Sequence, residues 1–166
     1  MSETMSMAER APQRIVITEQ DLARIVEELE ALEGLAQAIR QDIAILTTSI
    51  NELKAARNLV KMLADGQKLE DSYAAIGGGI FLKVKVDTAE KILVRVGSQY
   101  VVEMSPNSAL DFIDKKIKEL EDVKSRLELR LAETLRRVEY LRQLLAVIYS
   151  SAAEAKRAEA KGEAKA

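Results

Sequence analysis

The 166-residue sequence contains no cysteine and no histidine. Without cysteine there can be no disulfide bond, and no thiolate that binds a metal or attacks a substrate. Without histidine the chain lacks the commonest general base and the commonest zinc ligand. Any catalysis would have to rest on carboxylates, lysines and hydroxyl groups, so we predict that the protein is not an enzyme and holds no metal or cofactor.

Aromatic residues are also scarce, at 4% of the chain against 31% for charged residues. This balance is typical of helices rich in leucine, alanine, glutamate and lysine, coiled coils among them. The net charge of −2 provides no general attraction to nucleic acid. No segment approaches the roughly 18 consecutive apolar residues of a membrane helix, and the start MSETMSMAER does not resemble a signal peptide. We therefore expect a cytoplasmic protein that binds neither nucleic acid nor membrane.

A first long helix is predicted to begin at Thr18. Thr18 and Asp21 have the spacing of a capping box, and Ile15-Val16-Ile17 could staple the first turn. The apolar residues then recur in steps of three and four, which is the heptad pattern of a coiled-coil seam. The seam positions are Leu22, Ile25, Leu29, Leu32, Ala36, Ile39, Ile43, Leu46, Ile50, Leu53, Arg57 and Val60, of which only Arg57 is charged.

A second long helix is predicted to begin at Ser105-Pro106, with serine as the N-cap and proline at the first helical position. Its seam positions are Leu110, Ile113, Ile117, Leu120, Lys124, Leu127, Leu131, Thr134, Val138, Leu141, Leu145 and Ile148. The charged seam residues Arg57 and Lys124 either fix the register of the helices or extend their long side chains out to water.

The charges of the two helices are complementary if the helices pair antiparallel. Between Glu19 and Glu33 there are six acids and one base, whereas between Arg126 and Arg142 there are five arginines and three acids. Flanking charges of this kind select partner and orientation. We therefore predict one antiparallel coiled-coil hairpin, and we call its free end, formed by residues 15–25 and 141–149, the tip.

Between the helices the apolar period changes from 3.5 to 2, which predicts strands. Ile80–Val86 and Ile92–Val96 alternate around the polar turn Asp87–Lys91 and are expected to form one hairpin. Gly97-Ser98-Gln99 is a second turn before Tyr100–Met104. With a short strand at Ser72–Ile76, four strands in two hairpins are predicted.

The three glycines of GGGIFLKVKV, residues 77–86, could hold a phosphate or let the chain turn. Phosphate loops lead into a helix N-terminus, but these glycines lead into a strand and match neither common phosphate motif. A turn is therefore the favoured interpretation. The face of Ile80–Val86 that points inward stays open, because Phe81 on the other face is also apolar.

Two small hairpins with apolar faces are not stable alone in water. We expect them to oligomerise through residues 72–104, and the alternative is a small sheet folded back on its own helices. At the tip, Leu144 and Val147 lie off the seam and widen the apolar surface beyond what two helices bury. That surface is either an interaction site or is covered by the residues before and after the two helices.

The predicted fold class is mainly α with small β, a long antiparallel two-helix coiled-coil hairpin joined by two β-hairpins. The predicted divisions of the chain are a mobile N-terminal lead-in (1–17), the N-terminal coiled-coil helix (18–65), the two β-hairpins (66–104), the C-terminal coiled-coil helix (105–149) and a charged low-complexity tail (150–166).

The order helix, two hairpins, helix, with GGGIFLKVKV, then EKILVRVGSQYVVEMS, then SALDFIDKKIKELE, resembles the α subunits of archaeal prefoldin, the chaperone also called GimC. The resemblance covers roughly residues 18–149 and is most specific over residues 77–121. Arg95 departs from it, because that family tends to have a small or acidic residue there. The lead-in and the tail lie outside it.

The resemblance implies a hexamer of two α-type and four β-type subunits without ATP or another cofactor. Its β-hairpins assemble into an intersubunit β-barrel platform, and its coiled coils hold unfolded polypeptides at their apolar tips for delivery to a group II chaperonin. The implied oligomerisation residues are Ile80, Leu82, Val84, Val86, Ile92, Val94, Val96, Tyr100 and Val102. The implied client-binding residues are Ile15, Val16, Ile17, Leu22, Ile25, Leu141, Leu144, Leu145, Val147, Ile148 and Tyr149.

Two other functions stay open at this point. A structural coiled-coil adaptor could bind one folded partner through the same tip. An enzyme is the remaining interpretation, and turnover that is abolished by a single carboxylate substitution would support it.

Overall fold

The computed structural model describes residues 17–87, 90–97 and 99–163. Along the chain, the elements are α1 (Glu19–Ala64), β1 (Leu69–Gly77), β2 (Ile80–Val86), β3 (Ile92–Arg95), β4 (Val101–Met104) and α2 (Pro106–Glu163). This order confirms the predicted fold class of two long helices joined by two β-hairpins. Helix α2 continues beyond residue 149, into the segment 150–166 that we predicted to be a tail, and Ile15 and Val16 of the staple lie outside the described residues.

Both helices begin at the residues whose side chains can satisfy their first N–H groups. The Asp21 N–H donates to Thr18 Oγ1 at 3.2 Å, and the Thr18 N–H donates to Asp21 Oδ2 at 3.1 Å. The Thr18 hydroxyl also donates to Asp21 Oδ2, at 2.6 Å. The hydroxyl and the N–H of Thr18 thus both stabilise the charged carboxylate and hold the pKa of Asp21 below its ordinary value. At α2 the Ser108 N–H donates to Ser105 Oγ at 3.2 Å. The predicted capping box and N-cap are therefore confirmed.

The chain consists of two compact units, one with the described residues up to Gly34 and from Leu135 onward, the other with Leu35–Thr134. In both units the buried side chains are almost all seam residues, as the heptad pattern predicts. They are Ala36, Ile39, Ile50 and Val60 of α1 and Ile113, Ile117, Thr134, Val138, Leu141 and Leu145 of α2, with Ala109 next to the seam. The one buried polar side chain among them, Thr134, donates its hydroxyl to the Arg130 carbonyl at 2.8 Å.

Ion pairs beside the seam give the direction of pairing in the first unit. Arg137 Nε donates to Glu28 Oε1 at 2.9 Å, and Arg142 Nη2 donates to Glu33 Oε1 at 2.6 Å. In each pair the two residues occupy the same flanking position of their heptads, which is the geometry of antiparallel helices because equivalent flanks then face each other. The predicted match of acids in α1 with arginines in α2 is confirmed by these contacts.

In the second unit, the charged seam residue Arg57 leaves the seam and reaches the other helix. Its guanidinium donates to both carboxylate oxygens of Asp114, and the Nη2–Oδ2 distance is 3.0 Å. This bonding raises the pKa of Arg57 and lowers the pKa of Asp114. Lys124 instead pairs with Glu128 on its own helix at 2.9 Å. Of the two charged seam residues, Arg57 is thus the one placed to fix the register.

The strands form two separate two-stranded antiparallel sheets, β1 with β2 and β3 with β4. Our prediction that Ile80–Val86 and Ile92–Val96 form one hairpin is wrong. Gly78 and Gly79 have φ values of 59° and 77°, the positive angles of a two-residue hairpin turn, and they join β1 to β2. The Val96 N–H donates to the Tyr100 carbonyl at 3.0 Å and closes the turn between β3 and β4. The glycine run is therefore a turn, as predicted.

The two hairpins differ in how they are covered. The β3–β4 hairpin packs Ile92, Val94 and Met104 against the buried cluster formed by Ile50, Val60, Ala109, Ile113 and Ile117. Ile92 and Val94, which we assigned to the oligomerisation surface, thus make contacts inside the chain. One face of this hairpin is therefore folded back on the helices, whereas β1–β2 exposes apolar residues on both of its faces.

Exchanging the charges of Arg57 and Asp114 tests their effect on the paired helices. We expect Arg57→Asp and Asp114→Arg each to lower the melting temperature in circular dichroism, because each places two like charges against each other. The double variant restores an opposite pair and should recover most of the loss. Lys118→Asp, an exposed change on the same helix, is the control. A double variant whose loss equals the sum of the two single losses would contradict this role.

Candidate functional site

The predicted tip residues divide into two groups by exposure. Leu141 and Leu145 are buried in the seam, at 2% and 9% exposure. Ile17, Val147 and Tyr149 are exposed, at 39%, 64% and 56%. The half-buried members are Leu22, Ile25, Leu144 and Ile148, while Ile15 and Val16 lie outside the described residues.

This division follows from the heptad pattern. Leu141 and Leu145 point into the seam and contribute to helix pairing, so their side chains are not available to another molecule. Val147 and Tyr149 lie on either side of the seam position Ile148 and face water. The structure therefore brings an apolar surface to the tip, but its accessible part is smaller than the set of residues that we predicted.

Tyr140 belongs to this surface, and the sequence analysis missed it. Tyr140 is 55% exposed and lies four residues before Leu144 and seven before Val147. Residues at this spacing share one helix face, and we call Tyr140, Leu144 and Val147 the outer stripe. The sequence does contain a signal for this stripe. Its three residues follow one another in steps of four and three, as the seam residues do, but they lie on the outer face of α2.

The start of the outer stripe is held by charged neighbours. The Arg137 guanidinium lies over the Tyr140 ring, 5.4 Å from its centroid, which is within the range of a cation–π contact. Arg137 is itself fixed by Glu28, and that hydrogen bond raises the pKa of the guanidinium. Tyr140 therefore contacts a neighbouring side chain while more than half of its surface stays exposed.

The second candidate surface is the β1–β2 hairpin, which we call the exposed hairpin (Leu69–Val86). Ile80, Phe81 and Leu82 are 61%, 63% and 56% exposed. The residues opposite Phe81 and Leu82 are Ala75 and Ala74, whose methyl groups are too small to cover them. Both faces therefore present apolar side chains, and the open question of which face is inward has no answer within the single chain.

The remaining predicted oligomerisation residues range from half-buried to strongly exposed. Val84 and Val86 are half-buried, whereas Val96, Val102 and Tyr100 are 39%, 42% and 77% exposed. Two-stranded sheets also leave the outer edges of their strands without hydrogen-bond partners. An isolated hairpin of this kind is at best marginally stable in water.

Among the described residues, no group of three or more acidic side chains is arranged to hold a metal ion. Of the helices in the described ranges, none is both long and apolar enough to span a lipid bilayer.

Comparison with known proteins agrees with this architecture. A sequence profile described as "Prefoldin subunit" matches residues 32–151. The chain is a member of the prefoldin family. The matched residues include both hairpins of this prefoldin, most of the paired lengths of α1 and α2, and the outer stripe.

Archaeal prefoldin α subunits are among its relatives. It is 30% identical to prefoldin subunit alpha 1 of Thermococcus kodakarensis, over 59% of this chain and 67% of that protein. It is 29% identical to prefoldin subunit alpha of Pyrococcus horikoshii, over 71% of this chain and 80% of that protein. Prefoldin subunit alpha of Archaeoglobus fulgidus is 25% identical, over 78% of this chain and 94% of the other.

A solved structure resembles this prefoldin as well. The filamentous prefoldin from Methanocaldococcus jannaschii, determined by cryo-electron microscopy, has a TM-score of 0.58 and 25% identity, covering 69% of this chain and 95% of that chain. The expected resemblance to archaeal prefoldin α subunits is therefore confirmed.

Single alanine substitutions in α2 separate the seam residues from the surface residues of the tip. Leu141→Ala should lower the free energy of unfolding by about 2–5 kcal/mol, because it removes a buried side chain and leaves a cavity. Val147→Ala should change it by no more than about 0.5 kcal/mol, as is usual for surface substitutions. Urea unfolding of the two variants measures both values. Equal losses would contradict the division of the tip.

Proposed function

We propose that this prefoldin chain is the α-type subunit of an ATP-independent chaperone complex that captures unfolded proteins at its tips. The observation that carries the proposal is the exposure of Ile17, Val147 and Tyr149 beside a seam already filled by Leu141 and Leu145. Apolar side chains that helix pairing does not need remain in contact with water, and exposed apolar surface of this kind is typical of interaction sites. Membership of the prefoldin family supports the same function.

Assembly places several tips in one complex. In our proposal the exposed hairpin pairs with strands of other subunits in a β-barrel platform, which covers its edges and its apolar faces. The complex has two α-type and four β-type subunits and resides in the cytoplasm. The residues of this chain that contribute to the platform are Ile80, Leu82, Val84, Val86, Val96, Tyr100 and Val102. Ile92 and Val94 lie beneath it and pack against the helices.

Capture then needs only apolar contact and multivalency. Each buried Å² of apolar surface contributes roughly 25 cal/mol, so one small tip surface binds weakly. A non-native chain that touches two or more tips is held at a high effective concentration and leaves slowly. Because each contact is weak and no covalent or nucleotide-driven step is involved, the client can transfer stepwise to a group II chaperonin.

The client-contact residues in this proposal are the accessible and half-accessible ones. They are Ile17, Leu22, Ile25, Tyr140, Leu144, Val147, Ile148 and Tyr149, with Ile15 and Val16 kept from the sequence analysis. Leu141 and Leu145 hold the helices together beneath this surface. The mixture of aliphatic and aromatic side chains without a defined pocket suits clients of varied sequence.

One observation favours a structural adaptor as the second candidate function. The outer stripe has the i, i+4, i+7 spacing with which helices dock into the groove of a single folded partner. An adaptor would not delay the aggregation of unrelated denatured proteins, whereas a chaperone would.

Substitution of the exposed tip residues tests the proposed function. In a purified complex of this chain with a prefoldin β subunit, Val147→Ser with Tyr149→Ser should leave the number of subunits and the helical content unchanged. Because fewer tips contribute to multivalent capture, we expect about twofold more complex to be needed for half-suppression of aggregation of a denatured client.

The matched control is Leu129→Ser, which removes a side chain that is 68% exposed on the same helix away from the tip. The complex with Leu129→Ser should suppress aggregation as well as the unaltered complex does. An unaltered complex that fails to slow the aggregation of several unrelated clients would refute the chaperone function and leave the adaptor.

A further inference from the structure

A groove of about 860 Å³ lies in the unit formed by Leu35–Thr134. Leu53 of α1 and Leu120 and Phe112 of α2 line it, and all three side chains are half-buried. Val96 and Gly97, at the turn between β3 and β4, line it as well. The groove thus combines a coiled-coil flank with the end of a β-hairpin, and it lies outside the tip and the exposed hairpin.

The two flanks of the seam differ here, and this difference creates the groove. On one flank Lys54 Nζ contacts Glu121 Oε1 at 2.7 Å, and Arg57 pairs with Asp114 close by. Long paired side chains therefore lie along the seam on that side. On the groove side, α1 has Ser49 and Ala56 in the flanking positions. These side chains are too short to cover Leu53 and Leu120, which stay accessible.

The rim of the groove carries more positive than negative charge. Its cations are Arg95, Lys115 and Lys116, and its acids are Glu52 and Glu119. Lys116 pairs with Glu119 at 3.5 Å. In the part of the chain that the structure describes, Arg95, Lys115 and Glu52 take part in no ion pair and all three are exposed, so the rim keeps one positive charge in excess. An occupant that brings a carboxylate to this rim would meet two cations.

We propose that the groove docks an acidic, apolar segment of a neighbouring subunit in the prefoldin complex. Apolar side chains of that segment lie on Leu53, Phe112 and Leu120, and its carboxylate faces Arg95 and Lys115. The inference rests on the assembly in the proposed function, to which it adds a second contact, made by the coiled-coil flank instead of the strand edges.

A subunit fits this groove better than an unfolded client does. The β3–β4 hairpin is fixed, since Ile92, Val94 and Met104 pack on the buried cluster of the helices. A preformed site with a charged rim selects one sequence, whereas capture of many clients needs an adaptable apolar surface. The groove also lies next to the β3–β4 hairpin, in the region where other subunits are proposed to assemble. In this arrangement Arg95, the residue that departs from the family resemblance, faces the carboxylate of the docked segment.

Charge reversal at the rim tests the electrostatic part of the inference. Arg95→Glu with Lys115→Glu should weaken the association with a prefoldin β subunit about tenfold, because two attractive contacts become repulsive. Lys118→Glu makes the same kind of change outside the groove and should leave the affinity unchanged. Equal affinity of the double variant and the Lys118 variant would overturn the inference.

Two neighbouring alanines provide a test of the apolar part. Ala56 lines the groove and Ala55 does not, although both are exposed on α1. Ala56→Gln should obstruct the groove and weaken the association at least threefold, whereas Ala55→Gln should have no effect. Identical affinities would overturn the inference.

The outcomes separate the groove from the proposed function. If the unaltered chain does not associate with the β subunit, the proposed assembly fails. If it associates, and the groove variants reduce the holding of denatured clients without changing the affinity for the subunit, a client occupies the groove and our inference is wrong. Weakened assembly, with normal client holding once the subunit concentration is high enough to form the complex, is the result that supports it.

Discussion

The burial of the apolar seam between α1 and α2 is the constraint on which the rest of this prefoldin depends. The seam takes up Leu141 and Leu145 at the tip and Ile113 and Ile117 near the hairpins. Apolar residues that do not lie in the seam remain exposed, among them Val147 and the residues of the exposed hairpin. The candidate functional surfaces therefore consist of the apolar residues that stay exposed after the two helices have paired.

The same constraint explains why the two hairpins differ. Near the hairpins the helices offer a single buried cluster, and the β3–β4 hairpin covers it with Ile92 and Val94. The β1–β2 hairpin is not part of this cluster and keeps Phe81 and Leu82 exposed on opposite faces. Burial of such residues contributes roughly 25 cal/mol per Å². In the proposed assembly, this hairpin gains stability by association with strands of other subunits.

Sequence periodicity was sufficient for the parts of the fold that local rules determine. The heptad steps identified the buried seam, Thr18 and Ser105 marked the helix starts, and the glycines at 77–79 identified a turn. Periodicity does not say which strands pair, and the polar segment Asp87–Lys91 was wrongly taken as the turn of a hairpin. Tyr140 was missed because apolar residues were assigned to the seam first. Ile92 and Val94 were assigned to contacts between chains because alternation does not distinguish these from contacts within a chain.

Whether the exposed hairpin joins this chain to other subunits can be measured by native mass spectrometry with a prefoldin β subunit. We predict a complex of two copies of this chain with four β subunits. We also predict that Phe81→Ser with Leu82→Ser abolishes the complex while the helical content is retained. An unaltered chain that stays uncomplexed beside the β subunit, or a variant that assembles fully, would show that the exposed hairpin does not have this role.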